Sequence, residues 1–566
     1  MPIVQSFRKY FKPDSKERLE AYAARGILVL AAVIGLASFV YCYLHGLSTV
    51  HWDAKAHLVM ARRIVDSMAP GYANMGAHWL PLIHLLYLPF VLIESQYRTA
   101  VIPSLMSVCA FAISVWLIYR IAVRLTGSIV SGLFAAIVLL GNPNLLLVQS
   151  APLTEPVYLA FSLLAFDGLL RWRSSGGAGI PWLSVVWAAI AALCRYEGWI
   201  FIGGVIVLLG YDAWTRRLSL GRATRVAAAY IGLFLVPIAA HFGYIYARLG
   251  DTFFQRVARG NPAPYETLKR PFLSIVYHFG ELAQAAALVP LLLAMAGVVF
   301  CLMERERARR CLPYFLLWLP SLMNTAALSW GLVYRIRYSL LLLPAIAIFG
   351  SLLISQEKTA KRALIFACIL IFMLPWVSWP FPRDWEYHFV APSIFFFVLP
   401  PVALVLFFAA AARDRYRGAL IVLTFLGMQM PALHGEFRAM MAESLEHRYI
   451  EPEQQQLIGY LRSHYDGSRI LIDMGRLAPF MYDTGLPLKK FICHDGATND
   501  WNKAVASPRS QVGWLFAEKG DEVWNRLQAD SHWADGFALA MQTENYIMYQ
   551  LSRAGREAPR SGGKLR

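Results

Sequence analysis

The chain has 566 residues, 57% of them hydrophobic and only 16% charged, with a mean hydropathy of +0.46. These values exclude a soluble enzyme and point to a polytopic membrane protein. The net charge of +17 does not imply nucleic acid, because the basic residues stand in short clusters between apolar runs and no basic, aromatic-interleaved domain is present.

A basic lead with Arg8, Lys9, Lys12, Lys16, Arg18 and Arg25 precedes the first apolar run, about 26–44. No small-residue cleavage site follows, so the run reads as a span with the N-terminus inside rather than a cleaved signal. The stretch His51-Trp-Asp-Ala-Lys-Ala-His57 then emerges outside, with Asp53, Lys55, His57, Arg62, Arg63 and Asp66 packed closely together. Leu58, Ala61, Val65 and Met68 recur at helical spacing, which suits a helix lying in the interface with its apolar side in lipid. The short run 79–93 carries Pro81, His84 and Pro89 and reads as an interfacial or re-entrant piece.

The expected spans continue at about 99–119, 129–140, from Thr154 to the arginines at 171 and 173, 182–194, 199–211 and 226–246. An outer loop, 248–270, precedes an amphipathic stretch with His278 and Glu281 and a span ending at Arg305, Arg307, Arg309 and Arg310. Spans at 312–330 and up to Lys358 follow, then a pair around 383–387, then 419–433. The sum is about thirteen spans with the C-terminus outside. The polar tail, 434–566, shows a short strand at 469–473, another at 512–516, a helix at 521–527 and a strand at 544–550, the pattern of a small α/β domain on the periplasmic side. Seven cysteines, most inside apolar runs, give no disulfide framework.

Inner-loop arginines are explained by orientation. On the outer side, however, this topology places Arg62, Arg63, Arg195, Arg256, Arg259, Lys269, Arg270, Arg335 and Arg337 with Asp53, Glu155, Glu197, Glu266 and Glu281. Ionisable groups at a membrane cost several kcal/mol unless paired or used, and arginine forks match phosphate oxygens. The gathering suggests one outward-facing cavity for an anionic lipid head. Plainer roles compete: Asp53 and Glu155 as helix caps, Arg195 with Glu197 as a structural ion pair at a turn, Arg335 and Arg337 as snorkelling residues. His51 and His57 around Asp53 would suit zinc or manganese, but no second cluster completes a metal site.

Trp52-Asp53-Ala-Lys-Ala-His57-Leu-x-x-Ala-Arg62, Thr154-Glu155-Pro156, Arg195-Tyr-Glu-Gly-Trp199 and Arg335-x-Arg337-Tyr338 before Leu-Leu-Leu-Pro344 resemble the GT-C superfamily. The nearest branch is the bacterial relatives of protein O-mannosyltransferases and lipid A aminoarabinose transferases. The resemblance covers about 26–433. It implies an α-helical membrane glycosyltransferase taking a polyprenyl-phosphate-linked sugar on the outer face of the inner membrane and passing it to a lipid, glycan or protein acceptor. It maps the base onto Asp53. Many members carry two adjacent acidic residues there; the single one here favours a metal-free, cofactor-free mechanism. Arg335 and Arg337, with Arg195 or Arg259, would hold the donor phosphate, and Glu155, Glu197, His57 and Tyr338 would meet substrate. A transporter or flippase of an anionic lipid is the competing class, though neither pseudo-symmetric halves nor midplane charges are seen.

Overall fold

The computed structural model describes residues 15–76, 78–250, 268–331, 336–356, 358, 361, 415–433, 439–493, 498–530 and 532–552. Among them, six helices are long and apolar enough to cross a membrane. Helices Ser15–Leu44, Val101–Thr126, Glu197–Trp214 and Leu220–Leu249 fall on expected spans. The expected run 312–330 is split into a 3-10 turn, Leu312–Trp318, and a helix, Leu319–Ser329. Pro313 and Pro320 open the two pieces, where a missing amide costs no helical bond. The pair of spans around 383–387 lies outside the described residues.

The chain divides into two compact units: residues 1–48, 104–237 and 260–443, and residues 49–103, 238–259 and 444–566. The first is a helical bundle around helix Leu343–Ile354, every residue of which is buried. Glycines set how closely its neighbours approach. A Cβ on Gly297, in helix Leu288–Leu302, would stand 2.0 Å from the Phe349 carbonyl oxygen, and one on Gly350 would stand 2.6 Å from the Phe134 ring. Without a hydrophobic drive between helices in lipid, such small-residue contacts and interhelical hydrogen bonds hold a bundle together. The bonds are present: Ser38 Oγ donates to the Leu146 carbonyl at 3.1 Å, and the Asn142 side-chain amide to the Ala285 carbonyl at 2.7 Å.

The second unit contains the tail. Five strands, β1 (Ile470–Ile472), β2 (Phe491–Ile492), β3 (Trp514–Glu518), β4 (Phe537–Gln542) and β5 (Tyr546–Leu551), form one sheet in the order β2-β1-β3-β5-β4. β1 runs parallel to β2 and β3, with Ile470 opposite Phe491 and Trp514. β5 closes antiparallel on β3, and β4 on β5. Leu471, Ile492, Trp501, Leu515, Ala517 and Val523 form its core. The small α/β domain read from the sequence is therefore present. Sequence reading missed β2, only two residues long, and β4, whose burial does not alternate cleanly.

Helix Glu522–Ala529 starts on Asp521, whose carboxylate accepts the amides of Trp524 at 2.6 Å and Glu518 at 2.7 Å. Burial outweighs these bonds and, with the nearby Asp473 and Glu518 charges, pushes the Asp521 carboxyl from its ordinary 3.8 up to about 7.

Two outcomes follow from this packing. Gly297→Leu drives a side chain into a backbone carbonyl and should cost about 1–3 kcal/mol, read as a lower melting temperature of the purified chain in detergent. Asp521 keeps its proton when folded at pH values where the unfolded chain has lost it, so its contribution is complete below 3.8 and is lost as pH rises towards about 7. Proteolysis within residues 444–552 should accelerate between pH 5 and pH 8 more in the parent chain than in Asp521→Asn; equal acceleration would refute the shift.

Candidate functional site

In the first unit, four charged side chains converge with little water around them. Helix Thr154–Ser174 begins at its Thr-Glu-Pro, helix Trp182–Cys194 ends at Arg195, and helix Glu197–Trp214 starts two residues later. Arg195 caps its helix in an extended conformation, φ −147° and ψ 152°. That turns its guanidinium across both neighbouring helix starts. Its Nη1 donates to Glu155 Oε1 at 2.6 Å and Thr154 Oγ1 at 2.7 Å, while Nε and Nη2 donate to the two oxygens of Glu197 at 3.1 and 2.9 Å. Glu155 and Glu197 are 1% and 3% exposed, so the arginine is what makes their burial tolerable. Arg337, 4% exposed, reaches the same Glu155 oxygen through Nε at 3.2 Å. Tyr338 lies under both guanidinium groups, its ring centre 4.8 Å from the Arg195 carbon and 5.4 Å from that of Arg337.

The structure therefore brings together Arg195, Arg337, Glu155, Glu197 and Tyr338, residues that lie up to 183 positions apart in the sequence, from Glu155 to Tyr338. Arg335 and Arg259 lie outside the described residues. Two sequence readings change. Glu155 is no cap: Leu153 occupies the cap position without a side-chain bond, and Glu155 is spent on arginines. Arg195, expected to grip the donor phosphate, already makes four side-chain hydrogen bonds, so its geometry suits holding the two carboxylates. Thr154, which opens the Thr154-Glu155-Pro156 motif, joins the cluster through its hydroxyl, a role the motif alone does not assign.

In the second unit, helix Trp52–Arg63 carries Asp53 and His57. The cap is not Asp53. His51 stands in the extended cap position and its Nδ1 accepts the Asp53 amide at 3.1 Å. Asp53 sits one turn-position inside, half-buried, where a negative charge is favoured by the helix dipole.

This helix does not expose an apolar side to lipid as expected. Ala54, Ala56 and every residue from His57 to Ala61 are buried, as is Arg63, because helix Leu82–Val91 covers one side and tail helix Met474–Thr484 covers another. It ends at Arg63, so Val65 and Met68 fall beyond it. His57 Nδ1 lies 3.1 Å from His84 Nε2, with the Trp79 ring against both imidazoles. His57 is thus tied to His84, a residue the sequence left as an interface residue. Helix Leu82–Val91 has ten residues, about 15 Å, too short to cross about 30 Å of hydrocarbon. Among the described residues, no group of three or more His, Cys, Asp and Glu could hold a metal ion.

The tail's grip on the Asp53 helix was not legible. Lys55 Nζ donates to Asp483 Oδ2 at 2.6 Å. Arg63 Nη1 stands 2.8 Å from the Met474 sulfur. Asp66 accepts the Leu488 and Lys489 amides at 3.1 and 3.3 Å. Tyr482 donates to the Arg98 carbonyl at 2.6 Å while Arg98 donates back to the Tyr482 carbonyl at 2.6 Å.

Against solved structures, the chain is similar in fold to ArnT from Cupriavidus metallidurans. The apo form superposes with a TM-score of 0.58 at 14% identity, covering 94% of this chain and 99% of that one. The fold is that of ArnT. The form of ArnT bound to undecaprenyl phosphate gives a TM-score of 0.55 at 14% identity, over 92% of this chain and 98% of that one. The ArnT likeness therefore extends beyond the membrane part, where the sequence motifs lie, into the tail. It agrees with the helical, multi-pass membrane fold expected from the apolar runs. No protein-family model matches the chain, and no curated protein matches it in sequence.

The arginine hub makes its own forecast. Arg195→Met leaves two buried carboxylates without their shared partner and should cost about 3–5 kcal/mol, seen as a large drop in melting temperature. Adding Glu197→Gln should recover part of the loss, since one of the stranded charges is then gone. A double variant no more stable than Arg195→Met would refute the pairing.

Proposed function

We propose that the chain transfers a sugar from a polyprenyl-phosphate donor to an acceptor hydroxyl at the outer face of the inner membrane, with the tail on the periplasmic side. The observation that carries this reading is the likeness to ArnT over nearly the full length of both chains, including a form bound to undecaprenyl phosphate. The buried arginine–carboxylate cluster supplies the polar machinery that such a donor requires.

The chemistry sets the roles. A hydroxyl has a high pKa and needs a base as it attacks the anomeric carbon. Asp53 takes that proton. The bond from the anomeric carbon to the phosphate oxygen breaks, and the negative charge that grows on the leaving phosphate needs fixed cations. Arg337, with Arg335, receives it. Arg195 acts one step back, locking Glu155 and Glu197, which orient Arg337 and meet sugar hydroxyls together with Tyr338. His57 orients the start of the Asp53 helix through His84. In-line displacement inverts the anomeric carbon. No metal enters this scheme. The acceptor is a lipid, glycan or protein hydroxyl, and the tail binds it.

The test is transfer from a synthetic polyprenyl-phosphate sugar in membranes. Asp53→Asn should insert normally yet lose roughly 10²–10⁴-fold in rate, the usual worth of a positioned base. Arg337→Gln should also be slow, and EDTA should leave the parent rate unchanged. Undiminished transfer by Asp53→Asn would end the base assignment. Movement of the donor across the bilayer without covalent transfer would replace the enzyme reading with transport.

A further inference from the structure

Away from the arginine–carboxylate cluster, the first unit holds a polar cavity of about 240 Å³, lined by Trp172, Arg173, Ser174, Asp212, Arg217 and the Gly176-Gly177 turn. The local sequence explains its shape. Helix Thr154–Ser174 stops at Ser-Ser-Gly-Gly-Ala-Gly, and Gly176, Gly177 and Gly179 adopt φ of 86°, 68° and 64°, a region that side-chain-bearing residues avoid. Trp172 Nε1 pins the returning loop by donating to the Ala178 carbonyl at 2.9 Å. The Arg222 and Arg217 guanidinium groups donate to the Gly177 and Arg173 carbonyls at 3.4 and 3.1 Å. A Cβ on Gly176 would meet nothing within 4 Å, so this side of the turn is open.

The charges are arranged unequally. Asp212 is 1% exposed and pairs through Oδ2 with Arg173. Its Oδ1 is buried and has no hydrogen-bond partner among the described residues. A buried carboxylate oxygen without a donor costs about 1–3 kcal/mol, so a ligand that donates there is favoured. Two helix C-termini meet at the cavity, that of Thr154–Ser174 through Arg173 and Ser174 and that of Glu197–Trp214 through Asp212. Their dipoles favour a cation. Arg217, exposed at the rim, offers a fork to an anion. Trp214, 81% exposed one turn away, marks headgroup depth.

We propose that this cavity binds the headgroup of a phosphatidylethanolamine, with its ammonium donating to Asp212 Oδ1 and its phosphate on Arg217. The site needs a positive donor and an anion a few bonds apart, and phosphoethanolamine carries both. A choline headgroup has no N–H to give Asp212, and a glycerol headgroup brings only neutral hydroxyls to a place where two helix dipoles favour positive charge. By the arginine bias, the site faces the inner leaflet, and it is independent of the sugar-transfer reading.

Native mass spectrometry of the full-length protein in detergent tests this, titrating dioleoyl phosphatidylethanolamine, phosphatidylcholine, phosphatidylglycerol and inorganic phosphate. The parent chain should retain one phosphatidylethanolamine roughly tenfold more tightly than the other two lipids, the worth of one charge-assisted bond. Ser174→Phe, at an exposed position, should fill the cavity and abolish that preference without lowering the melting temperature, and Arg217→Gln should weaken all three lipids alike, since each carries the phosphate. Asp212→Asn should weaken phosphatidylethanolamine selectively; should it fail to fold, Ser174→Phe still decides. Equal retention of the three lipids, unchanged binding in both surface variants, or displacement of the lipid by millimolar inorganic phosphate would overturn the proposal.

Discussion

A single guanidinium organises the polar heart of the helical bundle. Arg195 joins the start of one helix, the end of a second and the start of a third through Thr154, Glu155 and Glu197. Both carboxylates are buried, and isolated buried charge is strongly penalised, so this partner is what their burial depends on. Arg337 adds a second cation to Glu155. The described cluster then holds two positive and two negative side chains and is internally balanced. Such a balanced cluster is rigid, and rigidity matters where a charge is to develop during reaction, since fixed dipoles need no reorganisation at that moment.

The Asp53 helix depends on a different kind of support. His51 closes its first turn and places Asp53 inside the helix rather than at its cap. Lys55 and Arg63 then reach the tail, as do Asp66 and Arg98 beyond the helix. The unit that contains Asp53 is therefore assembled from three separated stretches of chain. A tail that looks, in sequence, like an appended soluble domain is in packing terms the wall against which this helix rests.

Much of this was readable beforehand, and the reasons are physical. Long apolar runs bounded by arginines give helices with little ambiguity, so Val101–Thr126 and Leu220–Leu249 fall where hydropathy puts them. The motif residues Glu155, Arg195, Glu197, Arg337 and Tyr338 were legible as a set because charges in such surroundings need partners. Their individual duties were not, since the fork of Arg195 is directed by a backbone φ of −147° that composition cannot express. The apolar stripe Leu58, Ala61, Val65, Met68 was read as lipid-facing because periodicity reports that a face is buried, not what buries it. Lys55 and Asp483, 428 positions apart, carry no local signature at all.

That separation has a consequence for how the protein is made. Asp53 is inserted among the first tenth of the chain, yet the groups that seat its helix lie between Met474 and Lys489. Contacts so distant in sequence close late. The ribosome must finish nearly the whole polypeptide before the aspartate's helix acquires its wall, so a nascent or prematurely terminated chain carries the acid without the means to aim it.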